Sequence, residues 1–171
     1  MKIDFRKIES GLRDYTFDVG PEELVFDYTD VIFNDNIKAV IHTFPSEDKI
    51  IISGTGSTTA GGECFRCLKP INIHLEVNIK LVIQRVEGAG DYDTGDDDFV
   101  IIPKSQAEYN LAPHFRELFL MALPSKILCD PNCKGLCPYC GTDLNVNRCS
   151  CKPPDDSGYW DDLGKLLNRN R

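Results

Sequence analysis

Eight cysteines fall in three groups along 171 residues: Cys64-Phe-Arg-Cys67, then Cys129-x3-Cys133-x3-Cys137-Pro-Tyr-Cys140, then Cys149-Ser-Cys151. A tetrahedral ion needs four deprotonated sulfurs on short turns, and Cys-x2-Cys pairs provide such turns. In the second pair Pro138 stiffens the turn, while Gly141 just beyond it lets backbone amides curl toward sulfur. From Cys129 to Cys151 the Gly, Pro, Asn and Cys content rises and apolar periodicity vanishes, as in a metal-stapled module without a core of its own. The pattern points to structural Zn2+, one or two ions per chain, with four thiolates closing the coordination sphere so that no water is left to activate. Two complete sites arise if Cys137 and Cys140 join Cys149 and Cys151 while Cys64 and Cys67 join Cys129 and Cys133. A single site with spare cysteines is the other partition.

An even cysteine count also suits a disulfide framework in a small secreted domain. Against that, Met1-Lys-Ile-Asp-Phe-Arg-Lys7 carries charge where a secretory leader has its apolar core, and no stretch approaches the roughly 20 apolar residues of a membrane span. The expectation is a cytoplasmic protein with no membrane contact.

The formal charge is -8, from 19 Lys plus Arg against 27 Asp plus Glu, which weighs against gripping phosphate backbones over a broad surface. A basic partner protein fits the charge better. The stretch Glu87 to Asp98, EGAGDYDTGDDD, concentrates acid and reads as a solvated loop, with Asp96, Asp97 and Asp98 available to dock a basic segment. It lacks the closing bidentate Glu of a calcium loop.

Residues 24–33 and 37–44, rich in Val, Ile, Phe and Tyr and separated by Asn34-Asp35-Asn36, predict a hairpin. A third extended run starts at Lys49 and continues through GTGSTTAGGE to Cys64, where Gly and Thr suggest bends or bulges. Ile71, Ile73, Leu75, Val77, Ile79, Leu81 and Ile83 then alternate with a largely polar set, the period of a half-buried strand. Its length predicts a strand curled within a barrel-like sheet, and puts Cys64 to Cys67 at a hairpin tip. Phe99 to Ile102 reads as a short strand. Asn110 predicts a cap for a helix with Pro113 in its first turn and Leu111, Phe115, Leu118, Phe119 and Ala122 on one face, ended by Leu123-Pro124. Ser157 predicts the start of a terminal helix carrying Tyr159, Trp160, Leu163, Leu166 and Leu167 on one side, packed on the rest of the protein. The fold class is α+β: an antiparallel β-rich domain over 1–125 with one main helix, then a zinc-ribbon-like Cys-rich module and terminal helix over 126–171.

Enzymatic readings find little support. His74-Leu-Glu76 with a downstream Cys-x2-Cys touches the pattern of zinc deaminases, but Pro138 follows Cys137 instead of preceding it, and His74 and Glu76 fall on the polar face of a strand. His42 and His114 are isolated in sequence, with no nucleophile or paired base nearby. A redox Cys-x2-Cys opens a helix beside a strand, whereas Cys64 stands between two strands and Cys137 is crowded by other cysteines. Neither a catalytic residue nor a small-molecule substrate is expected.

Gly62-Glu-Cys-Phe-Arg-Cys-Leu-Lys-Pro70, Leu120-Met-Ala-Leu-Pro124, Cys133-Lys-Gly-Leu-Cys-Pro-Tyr-Cys-Gly-Thr-Asp-Leu-Asn145 and Cys149-x-Cys151, in that order, resemble the bacterial YceD family, the large ribosomal RNA subunit accumulation proteins, over about residues 20 to 170. The resemblance implies a non-enzymatic role in making or preserving large-subunit ribosomal RNA in the bacterial cytoplasm, with the family's cysteine positions carried by all eight cysteines. Relatives often show Asp-Pro-Arg before the last helix, where this chain has Asp156-Ser-Gly-Tyr-Trp160. Two modes of action follow. In one the protein contacts RNA through Arg66, Lys69, Lys134, Arg148 and Lys152. In the other it is an acidic chaperone of a basic large-subunit ribosomal protein, using the Asp96 to Asp98 run without touching RNA. A thiol-disulfide redox protein is the remaining alternative.

Overall fold

The computed structural model describes residues 1–8, 11–26, 31–88 and 98–152. Among these residues eight strands and one α-helix follow in order: β1 (Lys2–Asp4), β2 (Arg13–Val19), β3 (Ile32–Phe33), β4 (Ile37–Ser46), β5 (Lys49–Glu63), β6 (Pro70–Val86), β7 (Phe99–Pro103), β8 (Glu108–Asn110) and α1 (Ala112–Ala122). The main sheet has the order β2-β4-β5-β6-β7, with β3 paired to the far end of β5, while β1 and β8 form a separate two-stranded ribbon.

The alternation over 71–83 becomes β6, whose Leu75, Val77, Ile79, Leu81 and Ile83 are buried on one face. It pairs antiparallel with β5 without interruption, from Lys49 opposite Gln84 to Glu63 opposite Pro70. The long hairpin therefore carries its Cys64–Cys67 turn beyond β4, with only β3 of the described strands beside its last residues. Helix α1 lies on the buried face and inserts Phe115 and Phe119, each fully buried and worth about 1.5–3 kcal/mol of apolar transfer. Room for that contact comes from β5, because a side chain at Gly56 would collide with the Phe115 ring.

Several expectations change. The sheet does not close into a barrel: among the described residues its strand order ends on β2 at one side and β7 at the other, and β7 joins β6 in parallel over five residues instead of bridging to β2. The helix covers the face that a curled sheet would have turned upon itself. The predicted hairpin of 24–33 with 37–44 is absent among the described residues, since β3 is two residues long and pairs with β5, and β4 takes β2 as its partner. No bulge interrupts the paired length of β5. Asn110 does accept a hydrogen bond from the Ala112 amide at 3.1 Å, but it stands one position ahead of the N-cap residue, Leu111. The predicted terminal helix and Asp96 and Asp97 of the acidic run lie outside the described residues.

Candidate metal centre

The eight sulfurs gather into two sets: Cys64, Cys67, Cys129 and Cys133, and Cys137, Cys140, Cys149 and Cys151, with the sulfurs of each set within 4.8 Å of one another. Zn–S bonds of 2.3 Å in a regular tetrahedron separate the sulfurs by about 3.8 Å. In the first set Cys64 and Cys133 are 3.9 Å apart and Cys67 and Cys129 3.5 Å. All eight cysteines are free, and both groups could hold a metal ion.

The two Cys-x2-Cys turns are built alike. The Cys64 amide donates to the Lys69 carbonyl and the Leu68 amide to the Cys64 carbonyl, both at 2.9 Å. The Cys137 amide donates to Thr142 and the Gly141 amide to Cys137, again at 2.9 Å. The residue after the second cysteine is left-handed in each, Leu68 at φ 57° and Gly141 at φ 71°. This conformation turns amides inward toward sulfur, as the sequence argument expected for Gly141, and the first turn adopts it with leucine.

Those donors set the acidity of the thiols. Backbone N–H groups, that of Cys129 foremost, followed by Arg66 and Cys67, lower the Cys64 thiol to about 6. The Thr142 hydroxyl, 3.2 Å from the Cys140 sulfur, leads the groups that lower Cys140 to about 6. Cys129 is pushed up to about 12, first by Cys67, and Cys151 up to about 12, first by Cys140. Within each set, then, one sulfur is ready to ionise and another is kept protonated by its neighbours, a conflict that a shared dication removes. The donor set suits a thiophilic ion.

Polar groups from neighbouring segments lock the first set in place. Arg66 donates from Nη1 to the Cys133 carbonyl at 2.7 Å and the Pro131 carbonyl at 3.3 Å, clamping the loop that brings Cys129 and Cys133 to the hairpin tip. Lys69 pairs with Asp143 at 2.8 Å, and this ammonium first, then the Asn145 amide, holds the Asp143 carboxyl at about 2. Asn145 donates from Nδ2 to the Cys133 sulfur at 3.4 Å and accepts from the Lys134 amide at 2.7 Å. Sequence reasoning did not assign Asp143 and Asn145 a role. Their place in the Cys133–Asn145 motif was the available signal.

Among the residues singled out for RNA or partner contact, Arg66 and Lys69 are exposed but engaged by structural partners, the Cys133 and Pro131 carbonyls and Asp143. Lys134, Arg148 and Lys152 are exposed, with no acidic partner among the described residues. The Asp98 backbone carbonyl accepts a hydrogen bond from the Val82 amide at 2.8 Å, beside β7. Elsewhere the fold finds partners for the isolated histidines: His42 meets Asp14 at 2.7 Å and His114 meets the Tyr109 hydroxyl at 2.7 Å. Asp14, His42 and Ser53 stand in one cross-strand row, yet no hydrogen bond joins Ser53 to His42, so no nucleophile–base pair forms there. No helix among the described residues is long and apolar enough to cross a membrane.

No solved structure matches the chain. Among curated proteins it is similar to the large ribosomal RNA subunit accumulation protein YCED homolog 1, chloroplastic, of Zea mays, 37% identical over 121 residues that cover 56% of this chain and 41% of that protein. The Arabidopsis thaliana protein of the same name is 34% identical over 71 residues, 41% of this chain and 22% of that one. An uncharacterised Mycobacterium tuberculosis protein is 28% identical over 95 residues, 56% of this chain and 45% of its own length. The chain thus spans less than half the length of these relatives. The family model described as Large ribosomal RNA subunit accumulation protein YceD matches residues 52–167. That match runs from within β5 through the hairpin tip and both four-cysteine groups, and the chain belongs to the YceD family.

Proposed function

We propose that this protein is a non-enzymatic factor in the synthesis, processing or accumulation of large-subunit ribosomal RNA, with two structural zinc ions and direct RNA contact through its cysteine module. The observation that carries the reading is the division of eight cysteines into two closed four-sulfur groups. A tetrahedral ion with four sulfur ligands serves as a scaffold, and no cysteine pair is left over for a thiol–disulfide cycle. The free thiols suit a reducing cytoplasm.

Exposed basic side chains in the cysteine module support RNA contact over the chaperone reading. Although the chain is at -8, residues 126–152 hold Lys126, Lys134, Arg148 and Lys152 against only Asp130 and Asp143, and Asp143 is occupied by Lys69. These side chains give the module a local excess of basic over acidic groups, set against the negative charge that each four-thiolate zinc site would carry. Elemental analysis of protein purified without chelator should give two zinc ions per chain. Lys134→Glu with Arg148→Glu should abolish binding to large-subunit RNA, and binding should weaken steeply with salt. Full RNA affinity in the double variant, or lost ribosomal-protein binding on neutralising Asp96 to Asp98 with no RNA bound by the parent, would overturn the RNA reading in favour of the chaperone.

A further inference from the structure

We propose that the two Cys-x2-Cys turns form a stacking platform for unpaired RNA bases, with Phe65 and Tyr139 as the rings on which they lie. The proposal rests on the RNA reading above and names the form of RNA recognised. Among the described residues, Phe65 and Tyr139 are the aromatic side chains more than half exposed, at 62% and 53%. Each occupies a middle position of one of the two turns. Other large aromatics, such as Phe5, Phe115 and Phe119, are fully buried.

The backbone beneath both rings is held unusually well for an exposed turn. Each has a four-sulfur group on its inner side and the paired hydrogen bonds described above, and the Phe65 amide also donates to the Ile127 carbonyl at 2.8 Å. A backbone held in this way leaves only the ring torsions to be ordered when a base settles on them, which lowers the cost of stacking. The two turns are also neighbours. The Leu136 amide donates to the Arg66 carbonyl at 3.0 Å, so the Phe65 and Tyr139 Cα atoms lie within roughly 25 Å, counting chain lengths along that path. A single strand can span such a distance, and Lys134, Arg148 and Lys152 belong to the same module to meet its phosphates. Bases in a duplex have their faces covered by neighbours and cannot reach such rings. The recognised form is single-stranded.

The test is fluorescence anisotropy of a labelled, unstructured 12-nucleotide RNA and of the same strand annealed to its complement as a blunt duplex, using the full zinc-loaded chain. The single strand should bind more tightly than the duplex, by about tenfold or more. Phe65→Ala and Tyr139→Ala should each weaken single-strand binding by roughly 5- to 150-fold, the range for loss of one base–aromatic stack. Zinc content and the slope of affinity against salt should stay at parent values, since phosphate contacts are untouched. Phe65→Tyr and Tyr139→Phe should restore binding. If the parent binds RNA but both alanine variants bind as well as the parent, or duplex and single strand bind alike, stacking is refuted while RNA contact stands. If neither RNA binds the parent, the underlying reading falls and this proposal with it.

Discussion

Gly135→Ala tests how the hairpin tip is joined to the cysteine module. Gly135 has φ 75°, where a Cβ costs about 1–2 kcal/mol. The added methyl would also lie 2.8 Å from the Arg66 carbonyl oxygen, a backbone atom that can yield only if the turn moves. That oxygen accepts the Leu136 amide at 3.0 Å, so the movement forfeits a hydrogen bond worth about 0.5–1.5 kcal/mol. Together the loss is about 1.5–3.5 kcal/mol, a drop in urea midpoint of roughly 0.7–1.7 M for an m-value near 2 kcal/mol/M. Gly141→Ala is the matched control: its φ is 71°, but nothing lies within 4 Å of the new methyl, so only the conformational cost of about 1–2 kcal/mol applies. Both variants should be unfolded in urea at a fixed free zinc concentration, because bound metal adds to apparent stability. A chelator should then strip the first group faster in Gly135→Ala, with Cys137→Ser and Cys64→Ser backgrounds identifying which group is emptied. Equal midpoints for the two variants, or release in Gly135→Ala confined to the second group, would refute the Arg66–Gly135 contact as the joint.

Other expectations are direct. Cys64→Ser and Cys137→Ser should each remove one zinc ion and leave the other, measured by elemental analysis; loss of both from Cys64→Ser would contradict two separate groups. Asn145→Ala, which removes the donor to the Cys133 sulfur, should weaken zinc at the first group about 10- to 100-fold in chelator competition, without changing the second. Because Cys64 and Cys140 are lowered to about 6, each is already ionised at pH 7.5 before metal arrives. Zinc binding should therefore release fewer than four protons per ion at that pH, the count rising and the affinity falling as pH drops through about 6, as calorimetry in buffers of different ionisation enthalpy would show.

What the sequence revealed depended on whether the signal was local. The alternation from Ile71 to Ile83 can only be a half-buried strand, and it appeared as one. Arg13–Val19 was missed because as an edge strand it has only half-buried Tyr15, Phe17 and Val19 to set against four polar residues. Asn34-Asp35-Asn36 is rich in turn formers, yet turn chemistry does not choose partners, and β4 found β2 instead. Gly56 suggested a bulge, whereas its cause is Phe115, a residue 59 positions later that no local reading could bring near. The same divide runs through the site. Cysteine spacing pointed to the two four-sulfur groups that the fold draws together, because Cys-x2-Cys turns are local. Arg66 and Lys69 looked like free cations, and only tertiary structure shows them tied to the Cys133 carbonyl and Asp143.

The two sulfur groups close very different lengths of chain, which orders their assembly. Cys137 to Cys151 is a loop of about 14 residues, whereas Cys64 and Cys133 are 69 positions apart. Closing the longer loop from an unfolded chain costs about 1.4 kcal/mol more, and diffusive encounter is correspondingly rarer. On a nascent chain the second group can capture its ion as soon as residue 151 emerges, with no help from the sheet. The first could fill only once β5 and β6 have paired and raised the hairpin tip to meet Cys129 and Cys133. A metal in that group would therefore report that the hairpin and the cysteine loops have come together.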